Sequence, residues 1–215
     1  DVTGVIQNCQ FKNNTANTSG GAIVFGFKAN VNIEKCDFEE NEARFGGAIY
    51  GQNDTTTFFI DSSRFSSNFS DDYGGAIVIS GGLDMMVKNS LFSENSSDRG
   101  GAISTFIDTL IRPELDIQNT TFSLNVAGTQ GGAINLFNAD AIFNNCLFET
   151  NVSDGDGIGG AISNNGFDGY HSELTLVNST LGSNVGIVGG GIAQFVAEGD
   201  STTLTLQNTI LGSNI

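Results

Sequence analysis

The sequence predicts an all-β chain, a right-handed parallel β-helix with three faces and about 7–8 coils of 26–33 residues. Three observations carry this. Gly-Gly-Ala-Ile begins at Gly20, Gly46, Gly74, Gly100, Gly131 and Gly159, with Gly-Gly-Gly-Ile at Gly189. Phe-x-x-Asn begins at Phe11, Phe38, Phe65, Phe92, Phe122 and Phe148, then returns as Leu-Gly-Ser-Asn at Leu181 and Leu211. The segments between them alternate apolar and polar residues with the period of strands, as in Val31-Asn32-Ile33-Glu34 and Leu174-Thr175-Leu176-Val177.

Aligned on the Phe positions, the repeats are 27, 27, 27, 30, 26, 33 and 30 residues apart, the mark of a fixed coil with length-tolerant loops. The whole of 1–215 reads as a single repeat region. Neither end has a polar cap, so the expectation is a segment of a longer protein.

Columns emerge from the alignment. Five residues before each Phe position stand Ile6, Ile33, Ile60, Val87, Ile117, Phe143, Leu176 and Leu206, which should point inward. Two residues before it stand the small Cys9, Cys36, Ser63, Ser90, Thr120, Cys146, Ser179 and Thr209. This places the cysteines in a repeat column, with no C-x-x-C metal spacing. A Cys9–Cys36 bond between adjacent coils is geometrically open, and so are free buried thiols.

Asn recurs three residues before the Phe position, mixed with Lys35 and Ser62. It recurs without exception three residues after it, at Asn14, Asn41, Asn68, Asn95, Asn125, Asn151, Asn184 and Asn214. Asn tolerates left-handed backbone and its amide bonds neighbouring groups, so both columns are expected at corners. The Ile of Gly-Gly-Ala-Ile forms a third ladder, Ile23, Ile49, Ile77, Ile103, Ile134, Ile162 and Ile192, expected in the core. Period two would then turn Ala22, Ala48, Ala76, Ala102, Ala133 and Ala161 outward as a smooth strip, open to self-association or covered by later loops.

Composition narrows function. The net charge is −16, from 24 acidic and 8 basic residues, which disfavours nucleic acid and anionic membranes. No apolar run is long enough to span a bilayer. Seventeen Phe and no Trp imply one aromatic used repeatedly in one role.

Paired Gly-Gly-Ala-Ile and Phe-x-x-Asn on a parallel β-helix resemble the repeats of the polymorphic outer membrane proteins of chlamydiae, autotransporter-type surface adhesins. Related secreted β-helix proteins carry similar repeats. The resemblance implies an extracellular or cell-surface location and a non-enzymatic structural or adhesive role, as a rod or filament component. Its partners would be surface or matrix proteins or glycans, with no nucleic acid and no direct membrane insertion. No catalytic residue and no required cofactor are expected. Leu181, Leu211 and Gly191 depart from the pattern.

The competing reading is a carbohydrate-active β-helix enzyme, either polysaccharide lyase or glycosidase. A glycosidase needs two nearby carboxylates, and pairs such as Glu34 with Asp61, or Asp37 with Glu39, offer them. The lone His171 sits in a long loop with no nucleophile suggested beside it. Calcium is the one metal with a candidate, at Asp154 and Asp156 of Asp-Gly-Asp-Gly. Asn-x-Ser/Thr sequons begin at Asn13, Asn17, Asn53, Asn68, Asn95, Asn119, Asn151 and Asn178. Five fall on the Asn columns, so Asn13, Asn17 and Asn53 are the expected acceptors if the source is eukaryotic.

Overall fold

A computed structural model describes residues 2–26, 29–52, 57–106, 111–167 and 170–215. Every strand pairing among the described residues is parallel; most keep register from coil to coil, as at Val2–Gln7 against Ala29–Glu34, while the six-stranded sheet carries register shifts, as between Phe69 and Tyr73. The chain is a right-handed parallel β-helix of about seven turns. Four sheets run along it rather than three faces. Sheet I, with eight strands, contains Ala29–Glu34, Asp84–Lys88, Glu114–Gln118 and Asp140–Asn144. Sheet II, also eight-stranded, holds the three-residue Phe strands such as Leu91–Ser93. Sheet III has six strands, such as Phe69–Tyr73, and sheet IV has seven, such as Ile103–Phe106.

Left-handed residues set the bends. Between sheets I and II the first Asn column, including Asn89, Asn119 and Asn178, lies at φ of 48 to 55°, with Lys35 and Ser62 in the same conformation. Asn is favoured there because its side chain lowers the cost of the left-handed region. At the inner side of this bend Ser63, Ser90, Thr120 and Ser179 donate to the carbonyls of Asp61, Lys88, Gln118 and Val177, two residues back. Cys36 and Cys146 occupy the same buried column, while Cys9 is exposed, and all three thiols are free.

The second Asn column works differently from the corner role expected of it. Its left-handed residue is the preceding one, for example Ser67, Glu94 or Leu124. The Asn itself is buried and acts through its amide. Each Nδ2 donates to the Oδ1 one coil on, at 2.8 to 3.0 Å from Asn14 through Asn214. Each from Asn41 onward also donates to the carbonyl of the Phe position one coil back, as Asn95 does to Phe65 at 3.0 Å. Beside this ladder the Phe rings stack with centroids 4.7 to 5.0 Å apart from Phe11 to Phe148. That distance is the strand spacing, so the backbone repeat itself imposes the stack.

The Ile ladder is buried as expected, Ile49 through Ile162 each at 0% exposure, with Ile23 and Ile192 partly buried in the outer coils. The Ala strip is not on the surface. Ala48, Ala76, Ala102, Ala133 and Ala161 are each 0% exposed and lie in the core. The physical reason is a third bend. The first Gly of each pair is left-handed, φ 58° at Gly74 and 66° at Gly100. The Ala and Ile N–H groups then donate to one and the same carbonyl, Ala48 and Ile49 both to Ala76 O. Alternation breaks there, so consecutive side chains both face inward. The second Gly is required by crowding: a Cβ on Gly47 would lie 2.2 Å from Gly75 O. Self-association along an Ala strip is thereby removed.

Candidate functional site: an acidic cleft on sheet I

The outer surface of sheet I bears a cleft of about 390 Å³. One edge is a single register column. Thr57, Asp84, Glu114, Asp140, Glu173 and Thr203 stand eight residues before successive Phe positions and face each other across the parallel strands. Strand spacing places consecutive carboxylates roughly 4.8 Å apart at their backbones. Two residues further along each strand lies a second column, Met86, Asp116, Ile142 and Thr175. Met86 is 38% exposed and Ile142 51%, so the floor sets two open apolar side chains on either side of Asp116.

The acids differ in their partners. Asp140 takes two contacts from the Arg112 guanidinium, at 3.0 and 2.9 Å, and its Oδ1 also accepts the Glu173 N–H. Burial pushes the Asp140 carboxyl above its usual range; Arg112 opposes this and Glu173 adds to it. Asp84 Oδ1 accepts the Glu114 N–H at 3.3 Å. In this, Asp84 and Asp140 repeat what Asn30 does for the Thr57 N–H. Glu173 Oε1 lies 3.0 Å from His171 Nε2, and His171 Nδ1 lies 2.6 Å from Ser201 Oγ. Asp116 accepts both its bonds from Gln118. Among the described residues, no ion pair reaches Asp84 or Glu114.

The residues singled out from sequence fall elsewhere. Glu34 and Asp61 are register neighbours, as expected, but both are bonded to amides and hydroxyls around them. Asp37 and Glu39 pair with Arg64 and Lys12. Asp154 is exposed and its Oδ1 accepts the Gly155 N–H; the Asp156 side chain lies outside the described residues. Among the described residues, no three His, Cys, Asp or Glu side chains are grouped to hold a metal ion.

Asn13 and Asn17 are exposed, and Asn53 lies outside the described residues. Asn68, Asn95 and Asn151 are buried in the amide ladder and closed to modification. Asn119 and Asn178, set aside as corner residues, are exposed on the outer column instead. The cleft itself was missed, although the column eight residues before each Phe was present in the alignment.

The repeat matches a known family model in four places, residues 8–26, 35–52, 89–105 and 119–136. The model they match is that of the Chlamydia polymorphic membrane protein repeat. Each match spans a Phe-x-x-Asn corner and the Gly-Gly-Ala-Ile bend after it, so the matched segments run from sheet II through the sheet III region to the start of sheet IV. The chain is also 27% identical over 180 residues, 82% of its length, to "Metabotropic glutamate receptor-like protein R" of Dictyostelium discoideum. It spans about a tenth of that protein, 10% of its length. No solved structure matches the chain.

Proposed function

We propose that this chain is a non-enzymatic, extracellular rod displayed at a cell surface, with structural or adhesive work as its function. The observation that carries the reading is the polymorphic membrane protein repeat recurring along a continuous solenoid. Such a fold gains length by adding coils, while exposed residues on its faces and loops are free to vary for recognition. Surface or matrix proteins and glycans are the partners this role calls for. No cofactor is needed for it, and calcium at the Asp154 loop would serve only to stiffen a turn. Glycans at Asn13, Asn17, Asn119 or Asn178 would be compatible with the coil if the chain is made in a eukaryotic secretory route.

A second reading, a carbohydrate-active enzyme, is favoured by one observation: adjacent carboxylates in a cleft, one of them with a raised pKa. Incubation with acidic and neutral polysaccharides separates the two. The rod reading expects no new reducing or unsaturated ends; sustained turnover abolished by Asp140→Asn or Glu114→Gln would sink it.

A further inference from the structure

The cleft on sheet I combines two exposed apolar side chains, Met86 and Ile142, with carboxylates, Asp84 and Glu114, that no ion pair reaches among the described residues. We infer that it receives an extended cationic segment of a partner protein, with Lys or Arg at every third residue. The inference rests on the adhesive reading and names the chemistry of its partner.

Charge comes first. Of the four carboxylates in the column, Asp140 is already paired with Arg112, and Asp84 is engaged with the Glu114 N–H. Glu114 has no cation among the described residues, and Glu173 has only the imidazole of His171. Like charges on adjacent rungs repel, and an arriving cation relieves this. The chain as a whole, at −16, adds long-range attraction for a basic partner.

Shape comes second. Met86 and Ile142 flank Asp116 on the floor, one column away from the four acids of the edge. A Lys or Arg side chain has a matching form, an apolar stem that lies on hydrocarbon and a charged head at its end. Sugar is the poorer occupant. Carbohydrate faces favour aromatic platforms, and the nearest ring in the floor column, Phe59, already lies under Lys88 at 6.0 Å.

Register comes third. Glu114 and Glu173 are two rungs apart, roughly 9.6 Å by strand spacing. A polyproline II segment rises about 3.1 Å per residue with three residues per turn, so every third side chain points the same way about 9.3 Å on. A segment laid along the rod therefore sets successive cations beside Glu114 and Glu173 and passes over the Arg112–Asp140 pair.

The test uses the 215-residue chain and fluorescein-labelled (Lys-Pro-Pro)4, with binding read by anisotropy at low and at physiological salt. Binding is expected, and it should weaken about tenfold in the isosteric Glu114→Gln/Glu173→Gln protein, the loss of about 1.4 kcal/mol. Ile142→Ser should weaken it several-fold. Glu94→Gln/Glu149→Gln makes the same change in net charge on exposed residues away from the cleft and should leave binding within about twofold. Far-UV circular dichroism establishes that each variant is folded. Equal losses in the two double variants, or no binding at low salt, would overturn the site. Equal affinity for a peptide with its four Lys contiguous would overturn the three-residue register. Attachment of protein-coated beads to cells, unchanged in the Glu114/Glu173 variant, would sink the cleft and leave the rod reading intact; polysaccharide turnover would do the reverse.

Discussion

The amide ladder is the most exposed to a single decisive test, because its members are buried and their bonds are individually known. Asn95→Ala removes two donated bonds, to Phe65 O and to Asn125 Oδ1, each 3.0 Å. It also removes the acceptor for the Asn68 N–H at 3.1 Å and for Asn68 Nδ2 at 2.9 Å. The Asn68 amide retains a bond to Phe38 O, but its backbone N–H is left buried without a partner. Four bonds at about 1 kcal/mol each give a loss of about 4 kcal/mol, with the stranded N–H contributing at the upper end of that range. For a chain of this size the melting temperature should fall by about 8–16 °C. Urea titration for the free energy and a thermal melt for the melting temperature, both followed by far-UV circular dichroism, measure it, since the loss of parallel sheet is the signal. The comparison is Asn89→Gly on the outer column. There the side chain is exposed, it donates to Asp61 Oδ1 at 2.8 Å and accepts from Asn119 Nδ2 at 3.3 Å, and glycine accepts φ of 49° without strain. That variant should lie within about 1 kcal/mol of the parent. If Asn95→Ala also cost less than about 1 kcal/mol, the ladder would be an accompaniment of stacking rather than a source of stability.

Three further outcomes follow from burial. Ala102→Leu should destabilise by about 1–3 kcal/mol or prevent folding, because Ala102 is 0% exposed in the core; a silent substitution in the same urea titration would restore the outward strip. Cys9 should react with Ellman's reagent in the folded protein, while Cys36 and Cys146 wait for unfolding. Burial raises the Cys146 thiol to about 11. Its folded-state pKa therefore exceeds the unfolded one, so stability is constant below the ordinary thiol range and declines as pH rises toward 11; Cys146→Ser should flatten that decline in urea titrations across this window.

Much of the molecule was written in periodicity. The Phe, Ile and second Asn columns were legible because a parallel coil sets equivalent residues one strand spacing apart, so each column must solve the same packing problem at every turn. The Phe column answers it with stacked rings, and the second Asn column with an amide that both donates and accepts along the axis. The mixed first Asn column was equally legible, since Lys35 and Ser62 can stand in for Asn only where the demand is backbone conformation rather than a buried bond.

What sequence could not decide was where alternation breaks. The left-handed first glycine and the shared Ala carbonyl turn two consecutive side chains inward, and period two cannot register a bend lying between them. The same bend closes off sheet III as a fourth ladder and buries the Ala strip. The cleft was undecided for another reason. An acidic residue in a chain of charge −16 is unremarkable alone, and Glu34, Asp37 and Glu39 all find partners in their own or the adjacent coil. Only the register of sheet I, with Arg112 drawn onto Asp140 and nothing charged reaching Glu114 among the described residues, separates carboxylates that are spent from those that are not. Sequence determined the coil because the coil is a local rule repeated. Tertiary structure decided the site because unbalanced charge is a property of neighbours a full coil away.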